Sequence, residues 1–233
     1  HALVESDLLK DSQAAADMAS RYLNAMRLEQ TALDSWFEHG ARPERLPNAC
    51  ATCQFKATCH NAFGSVELAP DGATPQRVGL YPFNEHAIWT MYKGLTTTTR
   101  TPRSLLNSVL EYVLASHGKK ISRGEFPPLA KELGSDFKAP PLAKLSQRSI
   151  IDVQGGKDAR RIESLVLFWG QGTVDVTDID SRQLVGGLPA EVYKAFGIPF
   201  IEGEASMNSF SPSATGISYS SPNYAARTIS DIN

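Results

Sequence analysis

Long apolar runs are missing from this sequence. Nothing approaches the roughly 18 to 20 consecutive apolar residues that span a bilayer, and no basic stretch followed by an apolar core opens the chain. The motifs of common catalytic machinery are missing too. There is no G-x-S-x-G, no H-E-x-x-H and no G-x-x-x-x-G-K-[ST]; "DVQGGKDARR" has the glycines and Lys157 but neither the spacing nor the hydroxyl of a phosphate loop. Cysteine is scarce, with three in 233 residues, an odd number at short spacing that makes a poor disulfide framework. A net charge of −2 exerts no global pull toward nucleic acid or membrane. These absences lead us to expect a soluble, cytoplasmic protein with no membrane partner and no catalysis of its own. Opening at "HALVESDLLKDSQ" without Met, the chain is expected to be a piece of something longer.

What is present is mostly helical periodicity. From residue 4 to 38, Leu8, Leu9, Ala15, Met18, Ala19, Tyr22, Leu23, Met26, Leu33 and Trp36 recur at spacings of three and four, which predicts one long helix or two stacked ones. "ELAPDGATPQRVG" predicts a loop or small hairpin. In "PFNEHAIWTMYKGL", Asn84 is placed to cap a helix buried through Ala87, Ile88, Met91, Tyr92 and Leu95. In "RTPRSLLNSVLEYVLASHGKK", Thr101 caps, Pro102 takes the first helical position and Gly118 is expected to close the helix. "FPPLAKELG" predicts a short helix. "DARRIESLVLFWG" predicts another, entered by Asp158, and "LPAEVYKAFGI" a third, entered by Pro189 and stopped by Gly197. "TVDVTDID" alternates like a strand. "FWGQGTV" matches an antibody joining strand, but its helical surroundings exclude an immunoglobulin sandwich.

All three cysteines fall within ten positions. Cys50, Cys53, Cys59 and His60 form C-x2-C-x5-C-H. The first pair has zinc-knuckle spacing, because a tight turn lets two thiolates meet one tetrahedral ion. The second pair is less regular, since adjacent Cys59 and His60 must both turn inward. His60 is the first choice for the fourth ligand, with His39 and His86 as alternatives. A structural zinc is the expectation; another metal or cluster, or three metal-free buried thiols, are the alternatives. A redox C-x-x-C would sit in a thioredoxin-like alternation that is absent here, and an iron–sulfur cluster would want a fourth cysteine.

Charge is uneven along the chain. Residues 91–160 hold 12 Lys and Arg against 6 Asp and Glu, while both flanks are acidic. The basic stretch centres on Arg100, Arg103, Lys119, Lys120 and Arg123. It reads either as a solvated helix face or as a surface that contacts nucleotide or nucleic-acid phosphates. Asp175, Asp178 and Asp180 read as an exposed acidic loop before a cation site.

Taken together, "CATCQFKATCHNAFG", "VGLYPFNEHAIWTMY" and "RTPRSLLNSVL" resemble the helical lid after the nucleotide-binding core in large prokaryotic P-loop ATPases of the AAA+ or STAND type, especially those of anti-phage defence. The resemblance covers residues 48 to 115. It implies that this region closes over ATP held by a core outside this chain, and that Arg103 reaches the phosphates. Thr101 and Pro102 stand where the motif more commonly has Asn-Pro. It further implies coupling of nucleotide state to a protein or DNA partner; a stand-alone zinc-containing DNA-binding module is the alternative.

The expected fold is mainly α (α+β). It comprises an N-terminal helical segment (1–47), a Cys-rich zinc knuckle and loop (48–80), a helical lid-like region (81–149), a small C-terminal helical or winged-helix module (150–204) and a Ser-rich mobile tail (205–233).

Overall fold

The computed structural model describes residues 9–42, 46–68, 76–133, 156–179 and 181–200. Residues 134–155, Asp180 and everything from 201, including the Ser-rich tail expected at 205–233, lie outside the described residues. The chain is mainly helical with two small antiparallel sheets. It divides into two compact units, with Ser116 in the first and His117 in the second, so the segment expected at 81–149 straddles the division.

Unit one starts with α1 (Ser12–Arg27), whose first turn is capped by Asp11 accepting from the Ala14 amide at 2.8 Å. Its buried face reads Ala15, Ala16, Ala19, Ser20, Leu23 and Asn24, a stripe of mostly small residues that lets a neighbouring helix approach closely. That neighbour is α4 (Glu85–Gly94). Asn84 caps α4 by accepting from the Ala87 amide at 2.7 Å, and α4 buries Ala87, Ile88, Met91 and Tyr92. Full burial of Ile88 and Met91 stabilises by about 2 kcal/mol each. The first apolar stretch makes two helices: α1 ends at Leu28 and α2 (Gln30–Glu38) follows, with Leu33 and Trp36 only half-buried.

Thr101 caps α5 (Pro102–Ser104), accepting from the Ser104 amide at 3.2 Å, with Pro102 at the first position. A π-helical stretch (Leu105–Glu111) continues from it and buries Leu105, Val109 and Leu110. Next comes α6 (Tyr112–Ser122). Gly118 does not close this helix. It is tolerated inside, at a cost of about 1 kcal/mol relative to Ala, because Ile121 beyond it is buried. The reversal comes at Gly124, where φ is +67°.

Between α1 and α4 lie α3 (Lys56–Phe63) and a hairpin of β1 (Ser65–Glu67) and β2 (Arg77–Gly79). The register pairs Ser65 with Gly79, Val66 with Val78 and Glu67 with Arg77. Val66, Leu68 and Val78 are buried, and Cys50 packs with Leu68 and Val78.

In unit two, α7 (Ala130–Leu133) packs against α8 (Gly156–Phe168). Asp158 lies in the first turn of α8, inside the helix, where it pairs with Arg161 at 3.1 Å. Strands β3 (Val176–Ile179), β4 (Arg182–Val185) and β5 (Leu188–Pro189) follow one another in chain order. The β4–β5 turn is Gly186-Gly187 with φ of +60° and +77°, the left-handed pair that a two-residue hairpin requires. Pro189 then leads into α9 (Ala190–Ala195), and Gly197 at φ +63° follows its end. The core gathers Phe126, Trp169 and Phe196, whose ring centroids lie 5.2 to 5.7 Å apart with edge-on geometry.

Candidate metal centre

The last turn of α1 holds both legs of the cysteine segment. The buried Asn24 amide donates to the Pro47 carbonyl at 2.8 Å, and its oxygen accepts from the Ala49 amide at 2.9 Å. One turn on, the half-buried Arg27 guanidinium donates to the Gly79 carbonyl at 2.8 Å and to the Tyr81 carbonyl. Residues 47–49 and 79–81 are thereby fixed to one helix end. Satisfying those carbonyls with a charged donor is worth about 1.5 to 3 kcal/mol per bond.

Within this frame Cys50 and Cys53 lie on one turn, with the Cys53 amide donating to the Cys50 carbonyl at 3.5 Å. Cys59 and His60 are consecutive on α3. All three thiols are free; Cys50 is buried, Cys53 and Cys59 partly so. The structure brings Cys50, Cys59 and His60 to Gly79. The Gly79 amide donates to the Cys50 sulfur at 3.5 Å. A Cβ at position 79 would lie 3.0 Å from the Cys59 sulfur and 2.9 Å from His60 Cδ2. Two residues on, the Tyr81 amide donates to the Cys59 sulfur. Strand alternation places the Gly79 and Tyr81 amides on the same side, so one extended segment serves two sulfurs.

Gly79 also resolves the difficulty of neighbouring ligands on a helix. Cys59 and His60 diverge by about 100° around α3, and both still face inward because the strand opposite has no side chain there. Gly79 is not in left-handed backbone, so space is what requires glycine here.

The electrostatics divide: burial favours the protonated Cys59 thiol over the metal-binding thiolate, and the neutral, metal-binding form of the His60 imidazole. Burial pushes the Cys59 thiol above its usual range, opposed by the Arg27 guanidinium and the Tyr81 amide. Burial, followed by Lys56, Arg77 and Arg27, holds the His60 imidazole below its usual range, in the neutral form that binds metals. His60 Nε2 is buried and has no hydrogen-bond partner. The Tyr81 hydroxyl is pushed up to about 12, first by burial and then by Cys59.

Among the described residues no group of three or more His, Cys, Asp or Glu side chains is assembled to hold a metal ion. The donors gather around Gly79 without meeting at one point. Their chemistry nevertheless fits a divalent ion: three thiols, a neutral imidazole with an orphaned buried nitrogen, and amides donating to two of the sulfurs. Of the candidate histidines, His60 is the one packed beside a thiol. His39 is exposed and its Nδ1 is 2.6 Å from the Ser35 carbonyl of its own helix; His86 is exposed on α4.

The basic residues divide by environment. Arg100 reaches back to the carbonyls of Leu95 at 2.9 Å and Lys93 at 2.5 Å, closing the end of α4. Arg103 is exposed in α5. In unit two, Lys119 and Arg123 are exposed, and Lys120 pairs with Glu132 at 3.8 Å across exposed surface. Asp175 and Asp178 are exposed. No helix among the described residues is long and apolar enough to cross a membrane.

Sequence reasoning missed Arg27, Gly79, Tyr81 and Asn24 at this centre. Arg27 and Asn24 lie more than 20 residues upstream of the first cysteine, and only the fold connects them. The pattern V-G-x-Y after the loop, a glycine within a strand, is the one local signal that something approaches closely there. No family model matches this chain, and no curated protein or solved structure matches it either.

Proposed function

We propose that this chain is a non-catalytic, zinc-organised helical segment of a prokaryotic P-loop ATPase of the anti-phage defence type, cytoplasmic, which couples nucleotide state to a protein or DNA partner. The observation that carries the metal part is the gathering of Cys50, Cys59 and His60 about Gly79, with Cys53 on the turn that leads from Cys50. A centre with four protein ligands has no open position, so its work is to fix the backbone of the hairpin and of residues 47–53 against α1. The ATP would be held by a core outside this chain.

The nucleotide part is supported by Arg103. It is exposed within the capped turn of α5, one residue after Pro102, which orients it, and no carboxylate within that turn neutralises it. In the P-loop ATPase reading its guanidinium meets the phosphates through paired hydrogen bonds. Arg100 closes α4 and positions the segment leading into this turn.

Metal analysis of the purified chain is the first test, and about one zinc per chain is expected. Arg103→Ala in the ATPase that contains the segment should then reduce hydrolysis coupling while leaving zinc content and melting unchanged. Unchanged hydrolysis and partner binding would remove the nucleotide reading. The exposed cations Arg103, Lys119 and Arg123 also favour a second reading, a stand-alone DNA-binding module. It requires duplex affinity that falls steeply with salt, whereas a lid without its core binds little DNA at any salt concentration.

A further inference from the structure

We propose that α2 is a docking helix whose occupant is a basic amphipathic helix of a partner protein; neither the metal nor the nucleotide reading enters this inference. No residue of α2 is buried, and the helix has no extensive packing against any other described element. It nevertheless carries Leu33, Trp36 and Phe37, which at about 100° per residue share one stripe about 100° wide. Leu33 and Trp36 are half-buried, whereas Phe37 is 72% exposed, the most exposed large hydrophobic side chain among the described residues. The aromatic pair is held in place before any partner arrives. The Trp36 indole donates to the Arg42 carbonyl at 2.9 Å, and the Gly40 and Ala41 amides donate to the carbonyls of Phe37 and Trp36 at 3.0 and 2.9 Å, so the residues after the helix fold back on its last turn. The Phe37 ring meets the Trp36 ring edge-on, with centroids 5.8 Å apart. Rings fixed in this way lose little rotamer freedom on binding, which is how a few aromatic anchors come to carry most of an affinity.

Charge decides the occupant. Between Arg27 and Arg42 the chain has Glu29, Asp34 and Glu38 and neither Lys nor Arg. Asp34 and Glu38 border the stripe on its Phe37 side; both are exposed, and among the described residues neither has an ion-pair partner. A second copy of the chain would set acids against acids, and like charges across an interface repel. Its area is also too small, since the nine residues of α2 make a helix about 14 Å long and about 10 Å wide. Paired with itself, that face stays far below the roughly 800 Å² per partner of a stable dimer. The phosphates of a membrane surface or a nucleic acid are repelled in the same way. A helix whose apolar stripe is bordered by Lys or Arg answers both features: its apolar residues cover Phe37 and its cations face Asp34 and Glu38. The small area makes this complex weak and transient, and the charge makes it sensitive to salt.

The test uses the whole chain and a dye-labelled Leu/Lys peptide with one apolar helical face, read by fluorescence anisotropy, with a Leu/Glu peptide of the same apolar face as control. Wild type should bind the Leu/Lys peptide about tenfold or more tightly than the Leu/Glu peptide, and that affinity should fall about tenfold between about 0.05 and about 0.5 M salt. Phe37→Ser should weaken binding about tenfold or more, with melting unchanged because the side chain is exposed. Asp34→Asn combined with Glu38→Gln should weaken it about 3- to 10-fold and remove most of the salt dependence. Should Phe37→Ser change the melting, the acidic pair decides alone. No binding of the Leu/Lys peptide overturns the proposal, and so does equal binding of the two peptides. Binding untouched by Phe37→Ser in a normally melting chain puts the peptide elsewhere and overturns it too. If the chain by itself dimerises in sedimentation and Phe37→Ser makes it monomeric, the stripe belongs to a second copy and the proposal falls.

Discussion

Two arginines, one in each unit, ask the same question and receive different answers. Arg161 in α8 is 9% exposed and donates to the carbonyls of Gly124, Phe126, Phe196 and Gly197, with Asp158 as its carboxylate at 3.1 Å. Arg27 also gathers backbone carbonyls, those of Gly79 and Tyr81, yet its surroundings are thiols and an imidazole. Unit two therefore neutralises its buried cation from its own sequence, three residues away on the same helix. In unit one no carboxylate takes that role among the hydrogen bonds and ion pairs of the described residues, and in the proposed reading a metal centre would stand nearby.

The largest effect expected from this contrast is a split response to chelation. Metal removal should abolish protection of the α3 and β1–β2 amides, because structural zinc contributes on the order of 10 kcal/mol to small sites, while α8 amides keep theirs. Hydrogen exchange with and without chelator reads both units in one sample. Equal loss in both, or in neither, would break the comparison. Cys59→Ser should reproduce the chelated state without chelator.

Next in size is Arg161→Met, which strands four carbonyls and leaves Asp158 without its partner. We expect unit two to lose about 3 to 5 kcal/mol, read as a lower urea midpoint of α8 protection, with metal content unchanged. Gly79→Ala should follow. Its methyl would press on the Cys59 sulfur and the His60 ring, at a cost of about 1 to 3 kcal/mol. That cost falls on the site, so Co2+ affinity should drop about tenfold or more, as one expects of a change at a ligand's support. A matched Gly64→Ala variant has open space around its Cβ but strained backbone at φ +80°, so it tests strain without touching the donors.

How much of this was legible follows from where each interaction comes in sequence. Caps at Asn84 and Thr101, Pro102 at the helix start and the stop at Gly197 are local events, so a few residues announce them. The turn that joins Cys50 to Cys53 was legible for the same reason. Gly118 misled because glycine punctuates only when the residues beyond it have nothing to bury, and Ile121 does. Arg100 read as a candidate phosphate ligand because composition cannot tell a cation facing solvent from one bonded to carbonyls five and seven residues back. Arg27 and Gly79 were invisible since their meaning depends on a contact 52 residues apart. Long-range placement, not residue type, is what the sequence withheld.

The smallest effect concerns protons and sharpens the comparison at its edge. His117 in unit two is buried, and its imidazole is held below the usual range, first by burial and then by Lys120; the carbonyl of Glu132, 3.1 Å from Nε2, and the Glu132 and Leu133 contacts pull the other way. A folded state that prefers neutral histidine binds fewer protons than the unfolded chain. Its stabilisation is therefore whole above pH of about 6.5 and is lost as pH falls through the lower, folded value. Unit two should weaken between neutral and mildly acidic pH, by a gradual decline in the urea midpoint of α8, and His117→Gln should flatten that decline. His60 has the same sign in unit one, but if the proposed metal centre is present, acid would also protonate its thiolates and release the ion, so loss at α3 should be abrupt and should vanish as a pH effect once the metal has been removed. A gradual slope in one unit and a metal-dependent drop in the other would show two histidines doing different work; identical slopes in the chelated and the metal-loaded chain would mean that His60, like His117, only packs as a ring.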